Sequence, residues 1–154
     1  MRRVRTLLAI AGLSLGTGAA IAAATSVATV GTASGRLGTF LVGTNGHTLY
    51  VLSADKRNKS TCGGQCATNW PPLLTSGKPK VKGAAKSSAL GTIKRGSSEQ
   101  VTYNGHPLYY DLADTVAGDL AGQGTKVGGG TWTVIGPNGS PITSTGKSAP
   151  QGKY

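Results

Sequence analysis

From residue 37 onward the chain is built from short runs in which hydrophobic and polar residues alternate. "GTFLVGT" leads into Asn45-Gly46 and "HTLYVL" follows it; "EQVTY" leads into Asn104-Gly105 and "HPLYY" follows. Alternation with period two marks half-buried strands, and Asn-Gly favours the two positive φ angles of a type I′ turn between antiparallel strands. Two β-hairpins are therefore expected. On the first return strand His47, Leu49 and Val51 share one face, and Thr48, Tyr50 and Leu52 the other. The second return strand sorts His106, Leu108 and Tyr110 against Pro107, Tyr109 and Asp111.

The two segments are copies of one phrase. "NGHTLYVLSAD" runs from Asn45 to Asp55 and "NGHPLYYDLAD" from Asn104 to Asp114, with Asn, Gly, His, Leu, Tyr, Ala and Asp recurring in place. Each is followed by an irregular loop and then a tryptophan, Trp70 or Trp132. Packing about a pseudo-twofold axis would bury both matched hairpins. The expected fold is all-β: a small domain of two pseudo-symmetric β-hairpin repeats with Gly-rich loops over residues 35–142. Repeat 1 is read as about 37–75 and repeat 2 as about 97–142, with a connector over 76–96 that carries one strand near "LGTIKR". The 143–154 tail has no periodicity and reads as disordered.

Composition agrees with short strands and a lean core. Gly numbers 25 and aromatics make up 5% of the 154 residues, enough chain for one domain. Residues 1–30 are of another kind: "MRRVR" is basic, the next stretch is apolar and small, and Ala22 to Ala24 offer a cleavage site near residue 24. This is the pattern of a helical secretory signal peptide. Loss of Arg2, Arg3 and Arg5 still leaves Lys and Arg, 16 in the whole chain, well ahead of the 5 Asp and Glu. The exported part is basic and is drawn to anionic surfaces.

Cys62 and Cys66 are the only cysteines. In an exported chain such a pair reads as a disulfide, and Gly63-Gly64 let the backbone bend enough to close it. A C-x-x-C redox site or a closed zinc site would need other spacing or more ligands. With both thiols here, none stands at the leader's end to take a lipid, so the protein is expected to be secreted and not lipid-anchored.

The elements "TLYVLSAD", "STCGGQCATNWPPL", "QVTYNGHPLYYDLAD", "GDLAGQG" and "GGTWTVIGPNG" resemble the bacterial secreted-repeat family of predicted lipoproteins, described by a tandem Tyr-x-aromatic-x-x-Asp motif. The likeness covers about residues 37 to 140. Cys62, Gly64, Cys66, Ala67, Trp70, Pro71, Pro72 and Leu73 fill its C-x-G-x-C-A-x-x-W-P-P-L element. The aromatic position holds Leu52 in the first copy and Asp111 in the second, with an aromatic at Tyr110 instead. The resemblance implies an exported tandem-repeat architecture and brings no reaction with it.

Tyr50 and Asp55 recur at the spacing of Tyr109 and Asp114, which suggests a hydroxyl satisfied by a carboxylate, or a loop pinned by one. His47 and His106 occupy matching places, and pseudo-symmetry could bring them together as metal ligands with nearby Asp or Tyr, including Asp111 and Asp119. Catalytic signals are weak: the one G-x-S-x-G lies in the leader, Glu99 is the only glutamate, and "GQGTKVGGG" fits no phosphate-loop pattern. The connector run Lys78, Lys80, Lys82, Lys86, Lys94 and Arg95 contains no aromatic, which speaks against base stacking and sequence-specific nucleic acid. The preferred reading is an exported, non-enzymatic binding or cell-envelope-associated module that meets anionic wall or membrane components and needs no cofactor. The rival is an extracytoplasmic metal-binding or redox protein using His47 and His106. An enzyme comes third.

Overall fold

Asn104 and Gly105 adopt φ angles of 50° and 81°, so the second Asn-Gly makes the expected two-residue turn between β7 (Ser98–Tyr103) and β8 (His106–Pro107). The first does not. There only Gly46 has positive φ, at 80°, and the loop is wider: Gly43 N–H donates to the His47 carbonyl at 2.9 Å, and Asn45 Oδ1 accepts the His47 N–H at 3.2 Å. The wider loop sets Gly43 against Tyr110 of the other repeat. A Cβ at residue 43 would lie 2.0 Å from the Tyr110 hydroxyl.

The computed structural model describes residues 24 and 26–145. Residues 1–23 and 25, where the signal peptide was expected, and residues 146–154 of the tail expected to be disordered lie outside the described residues. The strands in chain order are β1 (Thr29–Gly35), β2 (Gly38–Val42), β3 (Tyr50–Leu52), β4 (Leu74–Thr75), β5 (Lys80–Val81) and β6 (Leu90–Arg95), followed by β7, β8, β9 (Lys126–Val127) and β10 (Gly130–Val134). One short helix, α1 (Gln65–Asn69), follows the glycine pair of the cysteine loop. The fold is all-β with repeats, as expected. β1 starts at Thr29, within the stretch read as leader, and the 76–96 stretch carries β5 as well as the strand at "LGTIKR", which is β6.

Equivalent strands are β1 with β6 and β2 with β7. Gly31 pairs with Val42 as Gly91 pairs with Thr102. β10, which contains Trp132, and β4, which follows Trp70, each cross to the other repeat. β10 runs antiparallel to β3, and the Ile135 carbonyl accepts the Leu41 N–H at 2.9 Å; β4 runs antiparallel to β7, and the Leu73 carbonyl accepts the Val101 N–H at 2.8 Å. The pseudo-twofold axis runs between Tyr50 and Tyr109, whose N–H and carbonyl groups bond reciprocally at 2.8 and 3.0 Å. Such a doubly bonded pair is the symmetric unit of an antiparallel ladder.

Both faces of the return strands are buried. Leu49, Val51 and Leu108 enter an aliphatic core with Val30, Leu41, Leu73, Val101 and Ile135. Tyr50, Leu52 and Tyr109 enter an aromatic core with Phe40, Trp70 and Trp132. The period-two sorting holds for these residues, but the central strands have no solvent face: each repeat covers the side the other leaves open.

Candidate functional site

The aromatic core is organised by four rings. Trp70 and Trp132 stack with centroids 4.0 Å apart and planes 2° from parallel. Tyr50 meets Trp70 edge-on at 5.5 Å, and Tyr109 meets Trp132 edge-on at 5.1 Å. Edge-to-face contacts set the positive ring edge against a negative ring face.

The tyrosine hydroxyls go to the opposite repeat. Tyr50 donates to Asp114 Oδ2 at 2.9 Å, and Tyr109 to Asp55 Oδ2 at 2.7 Å. The sequence spacing suggested Tyr50 with Asp55 and Tyr109 with Asp114; the fold exchanges the partners. The reason lies in the antiparallel crossing at the two tyrosines, which carries each side chain over the other repeat's loop. The second oxygen of each Asp holds its own loop: Asp55 Oδ1 accepts the Thr61 N–H at 2.7 Å and Asp114 Oδ1 the Ala121 N–H at 2.9 Å. Each Asp therefore ties its own loop to the other repeat's tyrosine. Burial, more than the carboxylate neighbours, pushes both phenols well above the usual tyrosine range. They act as hydrogen-bond donors, not as acids. Burial also raises the Asp114 carboxyl, against the pull of the Ala121 N–H and Tyr50 hydroxyl.

The same crossing separates the histidines. With Tyr50 opposite Tyr109, His47 and His106 project towards opposite ends of the pair, about 20 Å apart at the rise of extended chain. Their hairpin tips dock on opposite loops: the Gly46 carbonyl accepts the Gly118 N–H and the Gly105 carbonyl accepts the Asn58 N–H. His106 is held below the usual imidazole range by burial and then by Arg57, with Asp55 opposing. Pseudo-symmetry thus gives the histidines matching positions in the two repeats and keeps them from a shared site. Asp119 is occupied with its own loop, accepting N–H groups of Thr115 and Val116 that hold its carboxyl below the usual range. Among the described residues no cluster of three or more His, Cys, Asp or Glu is positioned to hold a metal ion.

Cys62 and Cys66 form a disulfide with Cα atoms 5.3 Å apart. Arg95, which the sequence placed in the basic connector run, turns inward to support it. Arg95 Nη1 donates to Ser60 Oγ at 2.7 Å and Gln100 Oε1 at 2.9 Å, and Nη2 donates to the Cys62 carbonyl. Fully buried Gln100 passes the connection to the Leu108 carbonyl at 2.9 Å. The strand alternation carried the signal, since Ile93 and Arg95 share a face of β6. A cavity of about 640 Å³ opens beside this loop, but the two terminal nitrogens of the Arg95 guanidinium are already committed to the protein. Replacing both cysteines by serine is expected to cost about 2 kcal/mol, the chain-entropy value for so short a loop. A urea midpoint shift measures it. An unchanged midpoint would show that Arg95 holds the loop unaided.

A family model described as a secreted repeat of unknown function matches residues 31–74 and again 91–135. Neither the curated proteins nor the solved structures contain a match to this chain. The matched segments begin within β1 and within β6, so each takes in one repeat's paired strands, β1–β2 or β6–β7, with its Asn-Gly turn, its loop and its tryptophan. No helix among the described residues is long and apolar enough to cross a membrane. Two matches that together take in more than half of the chain, each laid on one structural repeat, mean that it belongs to this family of secreted repeats of unknown function, with an extracellular setting.

Proposed function

We propose that the protein is an extracellular, non-enzymatic binding module held at the cell envelope by its positive charge. One observation carries the reading: Lys78, Lys80, Lys82, Lys86 and Lys94, the lysines of the basic run, are all exposed on or beside β5 and β6. Their partners would be the phosphates and carboxylates of anionic wall polymers. The tyrosines and Asp114 are buried in the aromatic core and its loop contacts, which favours a scaffold role for them over a catalytic one. Cys62 and Cys66 are joined to each other and offer no thiol to a lipid, consistent with retention by charge.

Exposed charges attract over a Debye length of about 10 Å at 0.1 M salt and about 3 Å at 1 M. The purified protein should therefore stay on isolated cell walls in 0.1 M sodium chloride and elute by 1 M. Changing the five lysines to glutamine should abolish retention at the lower salt while the urea midpoint stays put. Retention indifferent to both salt and these substitutions would remove the proposal.

A further inference from the structure

Pseudo-symmetry exposes one difference between the repeats that composition does not show. The outer edge of β1 is covered by β5, which runs parallel to it: Lys80 N–H donates to the Ala28 carbonyl and Lys82 N–H to the Val30 carbonyl, both at 2.9 Å. β6 is the counterpart of β1, and it ends its sheet in the order β4-β7-β6. Val101, opposite Thr92, sends its N–H to Leu73 and accepts from Leu108, both away from β6. Thr92 and Lys94 therefore turn their N–H and carbonyl groups outward, as does the Leu90 carbonyl. Among the described residues nothing bonds to them. A groove of about 490 Å³ lies on the face of the sheet beside this edge, lined by Leu90 and Thr92 of β6, Glu99 of β7, Ser88, Lys78 and Pro79.

We propose that the open edge of β6, with the groove beside it, takes an extended, acidic peptide segment of a partner protein, added parallel to β6 as β5 is added to β1 at Ala28 and Val30. An open strand edge asks for backbone amides and carbonyls in return, which a peptide supplies and a sugar-phosphate polymer does not. Charge selects the side chains. Lys78 lines the groove, Lys86 precedes the turn into β6 and Lys94 stands on the strand, all exposed, while the wall's carboxylate, Glu99, sits in register with Lys94. The same lysines disfavour a second, equally basic copy of the chain. Leu90 corresponds to Val30, so the bond that the Val30 carbonyl accepts from β5 is the template for the Leu90 carbonyl, and Thr92 and Lys94 continue the open edge beyond it. The inference stands apart from envelope retention, because it needs the strand's backbone as well as its charge.

The test is fluorescence anisotropy with a labelled seven-residue peptide of alternating valine and aspartate. Three comparisons accompany it: the same peptide N-methylated at alternate residues, a valine-lysine peptide, and the Thr92→Pro protein. Proline is tolerated on an edge strand where the lost N–H faces outward, so Thr92→Pro removes a docking donor and keeps the β7 ladder. The valine-aspartate peptide should bind, and both N-methylation and Thr92→Pro should weaken it at least about tenfold, the loss of roughly one charge-independent hydrogen bond or more. Lys78→Glu, which leaves the backbone intact, should weaken it too and serves if Thr92→Pro fails to fold. Equal binding of the N-methylated peptide would assign the attraction to charge alone and overturn the groove while leaving envelope retention standing. Absence of binding by any peptide would overturn it as well. So would a dimer dissolved by Thr92→Pro, or slow hydrogen exchange of the Thr92 and Lys94 amides in the free monomer, since either would show the edge already filled.

Discussion

Replacing Trp132 by alanine is expected to lower the unfolding free energy by about 3–5 kcal/mol, the range for emptying a large aromatic from a packed core. Small domains are stable by about 5–15 kcal/mol in total, so the variant should be only marginally folded. Trp132 is fully buried, stacked on Trp70 and touched edge-on by Tyr109, and its removal opens the centre of the aromatic core from which both repeats hang. Trp70→Ala should cost a similar amount, and the double variant less than the sum, because the stacking energy can be lost only once. Trp132→Phe should be much milder. The Trp132 Nε1–H is buried with no hydrogen-bond partner among the described residues, and phenylalanine removes that unsatisfied donor while keeping a ring. Denaturant titration of the four proteins checks this. Additive losses would mean that the two rings stabilise the fold separately.

The repeated phrase made the hairpins and the doubled architecture readable, because Asn-Gly, alternation and a recurring Tyr and Asp are local signals. What local signals do not contain is which repeat a side chain meets. The spacing of Tyr50 and Asp55 matched that of Tyr109 and Asp114 whether the bonds stayed within a repeat or crossed between repeats. Only the antiparallel register at the two tyrosines decides, and it exists only after folding. The same register sends His47 and His106 apart, although their sequence positions match. Arg95 was legible in part: period two put it on the face of Ile93, but a basic neighbourhood outweighed that pattern. The first Asn-Gly misled because the turn needed room for Tyr110 against Gly43, a contact from far along the chain.

Exchange of strands and exchange of hydroxyl partners have one consequence. Each repeat lacks a strand in its own sheet and a carboxylate for its own tyrosine, and finds both in the other. The two halves therefore form a single cooperative unit, even though their sequences repeat.

Tyr50→Phe should accordingly loosen both repeats at once, at a cost of about 1–3 kcal/mol. The lost hydroxyl leaves buried Asp114 with the Ala121 N–H alone, and removes the acceptor that the Gly122 N–H reaches at 3.3 Å. In a double-mutant cycle with Asp114→Ala, the coupling energy should be about 1–2 kcal/mol, whereas the same cycle with Asp55→Ala should show almost none. A strong Tyr50–Asp55 coupling would mean that the partners are not exchanged. The pH dependence gives an independent check. Burial raises the Asp114 carboxyl above its ordinary value of 3.8, so the folded state holds that proton more tightly than the unfolded chain does. Stability from this group is therefore greatest below 3.8, falls as pH rises through the raised folded value, and is level above it. Asp119, whose carboxyl is lowered, acts in the opposite sense and at lower pH: its contribution is present above 3.8 and lost as pH falls through the folded value. Asp114→Asn should abolish the fall above 3.8 and leave the Asp119 limb in place, which urea titrations at stepped pH would resolve.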